Sequence, residues 1–372
     1  MLFIIEFISI FLISLSSYYF YDIGIAPFPF IGLFLLLLFK RLKFNLNILV
    51  FSLFLVIYSI VIPLINGEIL KFVSAFAFLL SIFAIFLNFD AKRLKKVLGL
   101  FILIHSFAIF LQVFTFFIFN YQLDFLVNIT GEIQRTGTGN FIFLGKQLFR
   151  PTGFFSEPST YAVHILPIVL LYFKIIKKIN LIGAFGIISV FLTFSAVLVV
   201  MLAIFILFLL ISNNINNLIY LYKKNKFIII TLLTPLFIIV PSLIGYFINS
   251  LPGKMFSNSF SNDPKRGDFF IYLFNNPSKL FFGIGFTPTL SNGFNNFIVN
   301  DNGLLIYLML RFGFFGAILL FILLYKIKDN YCKGVFIILW VSKLSPTYPM
   351  LFLIYAISLN IIRYEKNKNF NF

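Results

Sequence analysis

Residues 40–96 read KRLKFNLNILVFSLFLVIYSIVIPLINGEILKFVSAFAFLLSIFAIFLNFDAKRLKK. Two apolar runs of about 20 residues, the length at which a helix crosses a hydrocarbon core of about 30 Å, lie between two basic clusters. The clusters are Lys40-Arg41-Lys43 and Lys92-Arg93-Lys95-Lys96. Two crossings return the chain to the side it left, so both clusters face one compartment, where the excess of Lys and Arg reads as cytoplasmic. The pattern recurs. Further clusters fall at Lys174-Lys177-Lys178, Lys223-Lys224-Lys226, Lys326-Lys328-Lys333 and Arg363-Lys366-Lys368, and the six together hold 19 of the 29 Lys and Arg.

Composition agrees. The 372 residues are 61% hydrophobic, 20% aromatic and 11% charged, against about 45–50% apolar in soluble domains. The net charge of +17 would suggest nucleic acid in a soluble chain; here it orients spans, and no nucleic-acid partner is expected. Residues 1–20 contain Glu6 and lack a basic start and a small-residue cleavage site, so they read as a retained first span rather than a signal peptide. Cys332 is the only cysteine; beside Lys333 in a basic loop it has no disulfide partner and reads as incidental.

The expected fold is all-α: one polytopic membrane domain over residues 1–372 with about twelve spans and both termini cytoplasmic. The spans lie near 2–20, 26–39, 45–65, 69–89, 97–119, 159–176, 181–193, 196–211, 227–248, 303–325, 334–347 and 350–363. Residues 181–211 are read as a tight pair turning near Thr193–Ser195, and 26–39, 334–347 and 350–363 are short for full crossings. Two long external segments remain, about 120–158 and 249–302, while the longest internal loop, 212–226, is too short for a catalytic domain. Chemistry is expected outside.

Nine Lys and Arg fall on the outer side against the orienting bias, among them Lys146, Arg150, Lys265 and Arg266 close to membrane re-entry. An anionic ligand would favour them there; the plainer alternative is that long loops translocate regardless of charge. In FRPTGFFSEPSTYAVHIL, residues 149–166, Pro151 and Gly153 break regular structure and Ser156-Glu157-Pro158 reads as a helix start. Glu157 is either that start or a functional carboxylate. Arg150, on a loop held at the bilayer surface by Phe149, Phe154 and Phe155, offers a planar fork suited to phosphate. His164 either lines a cavity or is a packed interior residue, and His105 reads as structural.

In the second segment, Asp263, Arg266 and Asp268 precede an amphipathic run ending at Phe281, read as a helix along the outer interface. Asp301 and Asn302 open the next span, which carries Arg311 about 13 Å in at 1.5 Å per residue. An arginine at that depth should face the bundle interior or a wet cavity. Gly313 and Gly316 read as positions of close helix packing. The external segments hold no D-x-D pair and no His/Cys cluster, so no metal site or cofactor is expected, and arginine would stabilise leaving-group charge. Two external arginines, a buried third and apolar walls suit a lipid-linked pyrophosphate.

RPTGFFSEPSTYA, KRGDFFIYLFNNPSKLFFGIGF and NDNGLLIYLMLRFGFFG resemble the Wzy-type polymerases of bacterial O-antigen and capsule, within the O-antigen ligase superfamily. The resemblance covers the whole architecture. It implies a metal-independent inverting transfer, at the periplasmic face of the inner membrane, of a growing glycan from undecaprenyl pyrophosphate onto a new lipid-linked repeat unit. A chain-length regulator and a flippase are the further partners it suggests. By matched motif, Arg150 and Arg266 would bind the two lipid pyrophosphates, or the donor's leaving group and the acceptor's sugar or phosphate, and Glu157 matches the motif's carboxylate; Lys146, Lys265, Arg311, His164 and Asn302 are further candidate substrate contacts. Related ligases carry a histidine near the position matched to Asp301 or Asn302; this chain does not, which favours polymerase over ligase. The general base stays open among Glu157, Asp301 and Asp268. A ligase and a lipid-linked oligosaccharide flippase are the alternatives, and a flippase would use Glu6 and Arg311.

Overall fold

Asp90 starts the longest helix by accepting a hydrogen bond from Lys92 N, which satisfies one of the amides a helix start leaves open. Helix α5 then runs Ala91–Phe119 and ends at Asn120 in the left-handed conformation, φ 49°. Its 29 residues span about 43 Å at 1.5 Å per residue. The structure, a computed structural model, describes residues 2–19, 26–65, 71–136, 142–143, 146–147, 149–178, 180–212, 275–287 and 303–369.

Before α5 come α1 Leu2–Ser14, α2 Phe28–Phe39, α3 Leu46–Ile65 and α4 Phe72–Ile82, the last continued by a 3-10 turn Phe83–Phe86. After it come the short α6 Val127–Thr130, a two-residue antiparallel pair β1 Ile142–Phe143 and β2 Lys146–Gln147, then α7 Pro158–Ile176, α8 Leu181–Leu192 and α9 Ala196–Ile211. The described C-terminal part holds α10 Pro277–Phe282, α11 Leu304–Phe312, α12 Phe314–Lys326, α13 Asn330–Trp340 and α14 Met350–Asn369. Three described helices, α3, α5 and α7, are long and apolar enough to cross a membrane, and seven shorter apolar helices accompany them.

Helices α7 and α14 form the centre. Every residue from Tyr161 to Tyr172 and from Met350 to Ser358 is buried, the signature of helices apolar on all sides and enclosed by others. Outward-facing Phe34, Ile57, Phe76, Phe107 and Phe117 are exposed, which in a membrane protein is the lipid-facing surface.

Helix direction sorts the charges. Glu6 Oε1 meets Lys40 Nζ at 2.5 Å and Arg93 Nη1 at 3.4 Å, Lys43 N donates to Phe86 O, and Lys174 Nζ meets Asp329 Oδ2 at 2.8 Å. Gly99 near the start of α5 faces Tyr172 near the end of α7, so the two helices run antiparallel. The clusters at 40–43, 92–96, 174–178 and 326–333 therefore share one pole of the bundle, the basic pole, while residue 71, residues 120–136 and 149–158, and residues 341–348 lie at the opposite one.

The α8–α9 turn falls at Thr193–Ser195 as expected, with Phe194 at φ 46°. Three expectations change. The span read at 303–325 is two helices broken at Gly313, φ 62° and ψ −150°. Residues 283–287, read as part of the second long segment, are buried in the protein against that break. Phe149, Phe154 and Phe155 do not hold a loop on the bilayer surface. Phe155 and Phe149 are buried in protein, with Phe149 stacked on Phe116 at 4.3 Å, and Phe154 packs edge-on to Phe11. The span near 227–248 lies outside the described residues.

Candidate functional site

Two buried amides set the register of the motif loop. Gln112 Oε1 accepts from Thr152 N and Gly153 N, both at 2.8 Å, and Gln112 Nε2 donates to Leu123 O and to Gln134 Oε1, both at 2.9 Å. Gln134 Nε2 donates in turn to Gly153 O at 2.7 Å and Phe155 O at 2.9 Å. Gly153 sits at φ 58° with the Tyr161 ring 3.1 Å from where a Cβ would stand, so both conformation and space call for glycine. This clasp carries Arg135 beside the loop, where its N–H donates to Ser156 O at 2.8 Å. Arg135 Nη1 then reaches Glu157 Oε1 at 2.6 Å.

Glu157 occupies the N-cap position of α7, with Pro158 at the first helical position, but its side chain caps no amide. Its carboxylate faces charges instead: Arg135 on Oε1, Ser159 Oγ at 3.2 Å and Lys343 Nζ at 3.8 Å on Oε2. The backbone does the work of a helix start while the carboxylate joins a cluster. The cluster lies on a cavity of about 630 Å³ at the pole opposite the basic one, lined by Lys71, Glu132, Arg135, Glu157 and Arg311 among hydroxyl-bearing side chains. That volume is within the usual range of about 300–1,000 Å³ for small-ligand sites. Arg135 is largely exposed and Arg311 only 3% exposed, so the cations are spread from mouth to floor.

Arg311 is set by the helix break. Where α11 stops, Leu310 O and Arg311 O accept from Ile284 N at 2.7 Å and Gly285 N at 3.0 Å, so the incoming extended segment replaces the helical bonds lost at Gly313. Arg311 Nη1 returns the contact to Gly285 O at 3.0 Å and Thr287 O at 3.3 Å, its guanidinium 5.7 Å from the Phe286 ring centre and 5.4 Å from that of Tyr307. Gly283-Ile284-Gly285 thereby gains a reason. A Cβ at Gly283 would lie 2.5 Å from Gly313 N, and one at Gly285 would collide with Ser59 O and the Pro63 ring. On the same wall, burial and the neighbouring Tyr19 and Tyr307 outweigh the hydrogen bond from Ala26 N and push the Tyr348 phenol up to about 12. It is a protonated donor at neutral pH.

Of the residues singled out from sequence, the structure unites Glu157 and Arg311 on this cavity. Arg150 is separated from them: half-buried, it directs Nε toward Thr193 O at 3.4 Å in the α8–α9 turn and is not among the cavity-lining residues. His164 lies behind the wall, with Nδ1 2.8 Å from Thr160 O and Nε2 3.3 Å from Ser16 Oγ. His105 is interior beside Ser14 Oγ at 3.2 Å. Glu6 is spent on Lys40 and Arg93 at the basic pole. Lys265, Arg266, Asp268, Asp301, Asn302 and the Lys146 side chain lie outside the described residues.

Lys71, Arg135 and Lys343 were not singled out. All three belong to the nine cations placed outside against the orienting bias, and that signal, taken for every one of the nine rather than for those nearest a re-entry, would have found them. Among the described residues no group of three His, Cys, Asp or Glu is placed to hold a metal ion. Comparison with protein-family models, with curated proteins and with solved structures yields no match.

Proposed function

We propose that the chain is a Wzy-type oligosaccharide repeat-unit polymerase: a glycosyltransferase of the bacterial inner membrane, with about twelve spans and cytoplasmic termini, that moves a growing glycan from undecaprenyl pyrophosphate onto a new lipid-linked repeat unit. What supports the reading is the cavity: three lining cations and two carboxylates at the pole opposite the basic clusters. Positive charge on cytoplasmic loops then turns that cavity to the periplasm. Arg135, Lys71 and Arg311 are suited to the pyrophosphate charge that develops as the glycosyl bond breaks, without a metal ion. Glu157 anchors Arg135 and Lys343 at the mouth. Arg266 remains a candidate for binding pyrophosphate and Asp301 a candidate general base, and a chain-length regulator and a flippase remain candidate partners.

The test is the glycan ladder of a strain whose own copy is replaced by variants. Arg135→Ala and Lys71→Ala should leave the protein in the membrane and remove long chains while single repeats persist. Full ladders in both variants would overturn the reading. One observation favours a second: the helix broken at Gly313 with an extended segment packed on it is the kind of discontinuity transporters place at a substrate site. A flippase would be indicated by repeat units accumulating on the inner leaflet after deletion, and a ligase by finished polymer left on its lipid carrier.

A further inference from the structure

We infer that Ser16 and His164 form a proton relay opening on the cavity, and that it, rather than Glu157, takes the proton of the acceptor hydroxyl. The inference rests on the polymerase reading. His164 Nδ1 lies 2.8 Å from Thr160 O. A carbonyl only accepts, so Nδ1 carries the hydrogen and Nε2 presents its lone pair. Ser16 Oγ, 3.3 Å from Nε2, is then the donor, and Ser16 lines the cavity. The distance is long for such a bond, as catalytic hydrogen bonds are before substrate tightens them.

The second histidine shows that this arrangement is not forced by the packing. Ser14 Oγ donates to Phe11 O at 2.7 Å, so toward Ser14 it is His105 Nε2 that donates, the opposite tautomer. Ser14 is also absent from the cavity wall. Glu157 meanwhile is engaged at both oxygens by the protein itself, by Arg135 on one and by Ser159 and Lys343 on the other.

In the step, the acceptor O–H proton passes to Ser16 Oγ as the Ser16 proton passes to His164 Nε2. The acceptor oxygen bonds to the anomeric carbon while the bond from that carbon to pyrophosphate breaks, and its electron pair leaves with the pyrophosphate. The imidazolium keeps Nδ1–H on Thr160 O and returns its extra proton through Ser16 to the cavity. Ser16 touches substrate; His164 acts through it. The titratable groups around the ring are His105, which shares the Phe155 ring with it at 5.4 Å against 4.8 Å, Tyr161 on its own helix, and the Glu157–Arg135–Lys343 cluster at the helix start.

Purified full-length protein in lipid nanodiscs, given undecaprenyl-pyrophosphate-linked repeat units, provides the test. Wild-type rate should fall on the acid side as His164 gains a proton. Ser16→Ala and His164→Gln should lower kcat by about 100-fold or more with KM within about threefold, and His164→Gln should lose the acid limb although Glu157 is intact. Ser16→Thr, which restores a hydroxyl, should recover at least about a tenth of the rate. Polymer made at the wild-type rate by Ser16→Ala, a small change at a cavity wall, overturns the relay and leaves the polymerase reading standing, whether or not His164→Gln folds. A wild-type protein that makes no polymer overturns both.

Discussion

Gln134 makes four hydrogen bonds with one buried side chain, to Gly153 O, Phe155 O, Gln112 Nε2 and Phe125 N, and its neighbour Arg135 supplies the ion pair at the cavity. Replacing it by leucine keeps the volume and strands the buried Gly153 O and Phe155 O, at about 1–3 kcal/mol for each buried group left unsatisfied. Gln134→Leu should therefore lower the thermal unfolding temperature in detergent well below that of a variant at an exposed position such as Lys328→Gln. Gln112→Leu and Gln134→Leu should cost together less than the sum of their separate costs, because they break one network; additive costs measured by the same unfolding assay would mean the two amides act apart. Neither glutamine stands out in the sequence. A polar residue inside an apolar run shows that some partner exists, but not that the partner lies 22 residues away, and the same holds for Glu6, whose depth suited transport until Lys40 and Arg93 were found beside it.

Among the elements, the break between α11 and α12 is the one that apolar periodicity concealed, since both halves are equally apolar and glycine is common in membrane helices. Gly313 pairs a positive φ with a site where a Cβ would meet Phe281 O and come within 2.6 Å of Phe282 C. Gly313→Ala should push the 283–287 segment off Arg311 at a cost of about 1–3 kcal/mol for the backbone strain alone, read as faster proteolysis near residue 287 and a lower unfolding temperature. A second element carries a pH prediction. Burial raises the Asp329 carboxyl, but hydrogen bonds from Lys174 and from Cys332 N, with the Lys174 charge, outweigh it and hold the group below its usual value of 3.8. A folded-state value below the unfolded one stabilises the protein above the unfolded pKa, and that contribution is lost as pH falls through the folded value. The wild type should accordingly lose unfolding temperature below about pH 4 more steeply than Asp329→Asn, in which the slope from this group is gone; parallel pH curves would count against the Lys174–Asp329 tie between α7 and α13.

At the scale of the whole molecule, the basic clusters and the apolar lengths together predicted which ends of the helices meet, and the ion pairs at Glu6 and Asp329 join the same ends in space. Charge bias and span length are long-range, additive properties, so they are legible without coordinates. The cavity is different: it depends on where a loop folds back, and Arg150 and Arg135, similar arginines in one external segment, were distinguishable only once the Gln112–Gln134 clasp showed which of them meets Glu157. The arrangement of poles is open to direct measurement because Cys332, the only cysteine, is fully buried. In a Cys332→Ala background, single cysteines replacing Lys43 or Lys328 mark the basic pole, and ones replacing Glu132 or Ile133 mark the cavity pole. A membrane-impermeant maleimide added to intact spheroplasts should modify the second pair at once and the first pair only after lysis. Labelling of Lys43→Cys and Glu132→Cys from the same side would break the link between charge and polarity, and with it the proposed periplasmic placement of the cavity, on which the proposed access to a lipid-linked glycan depends.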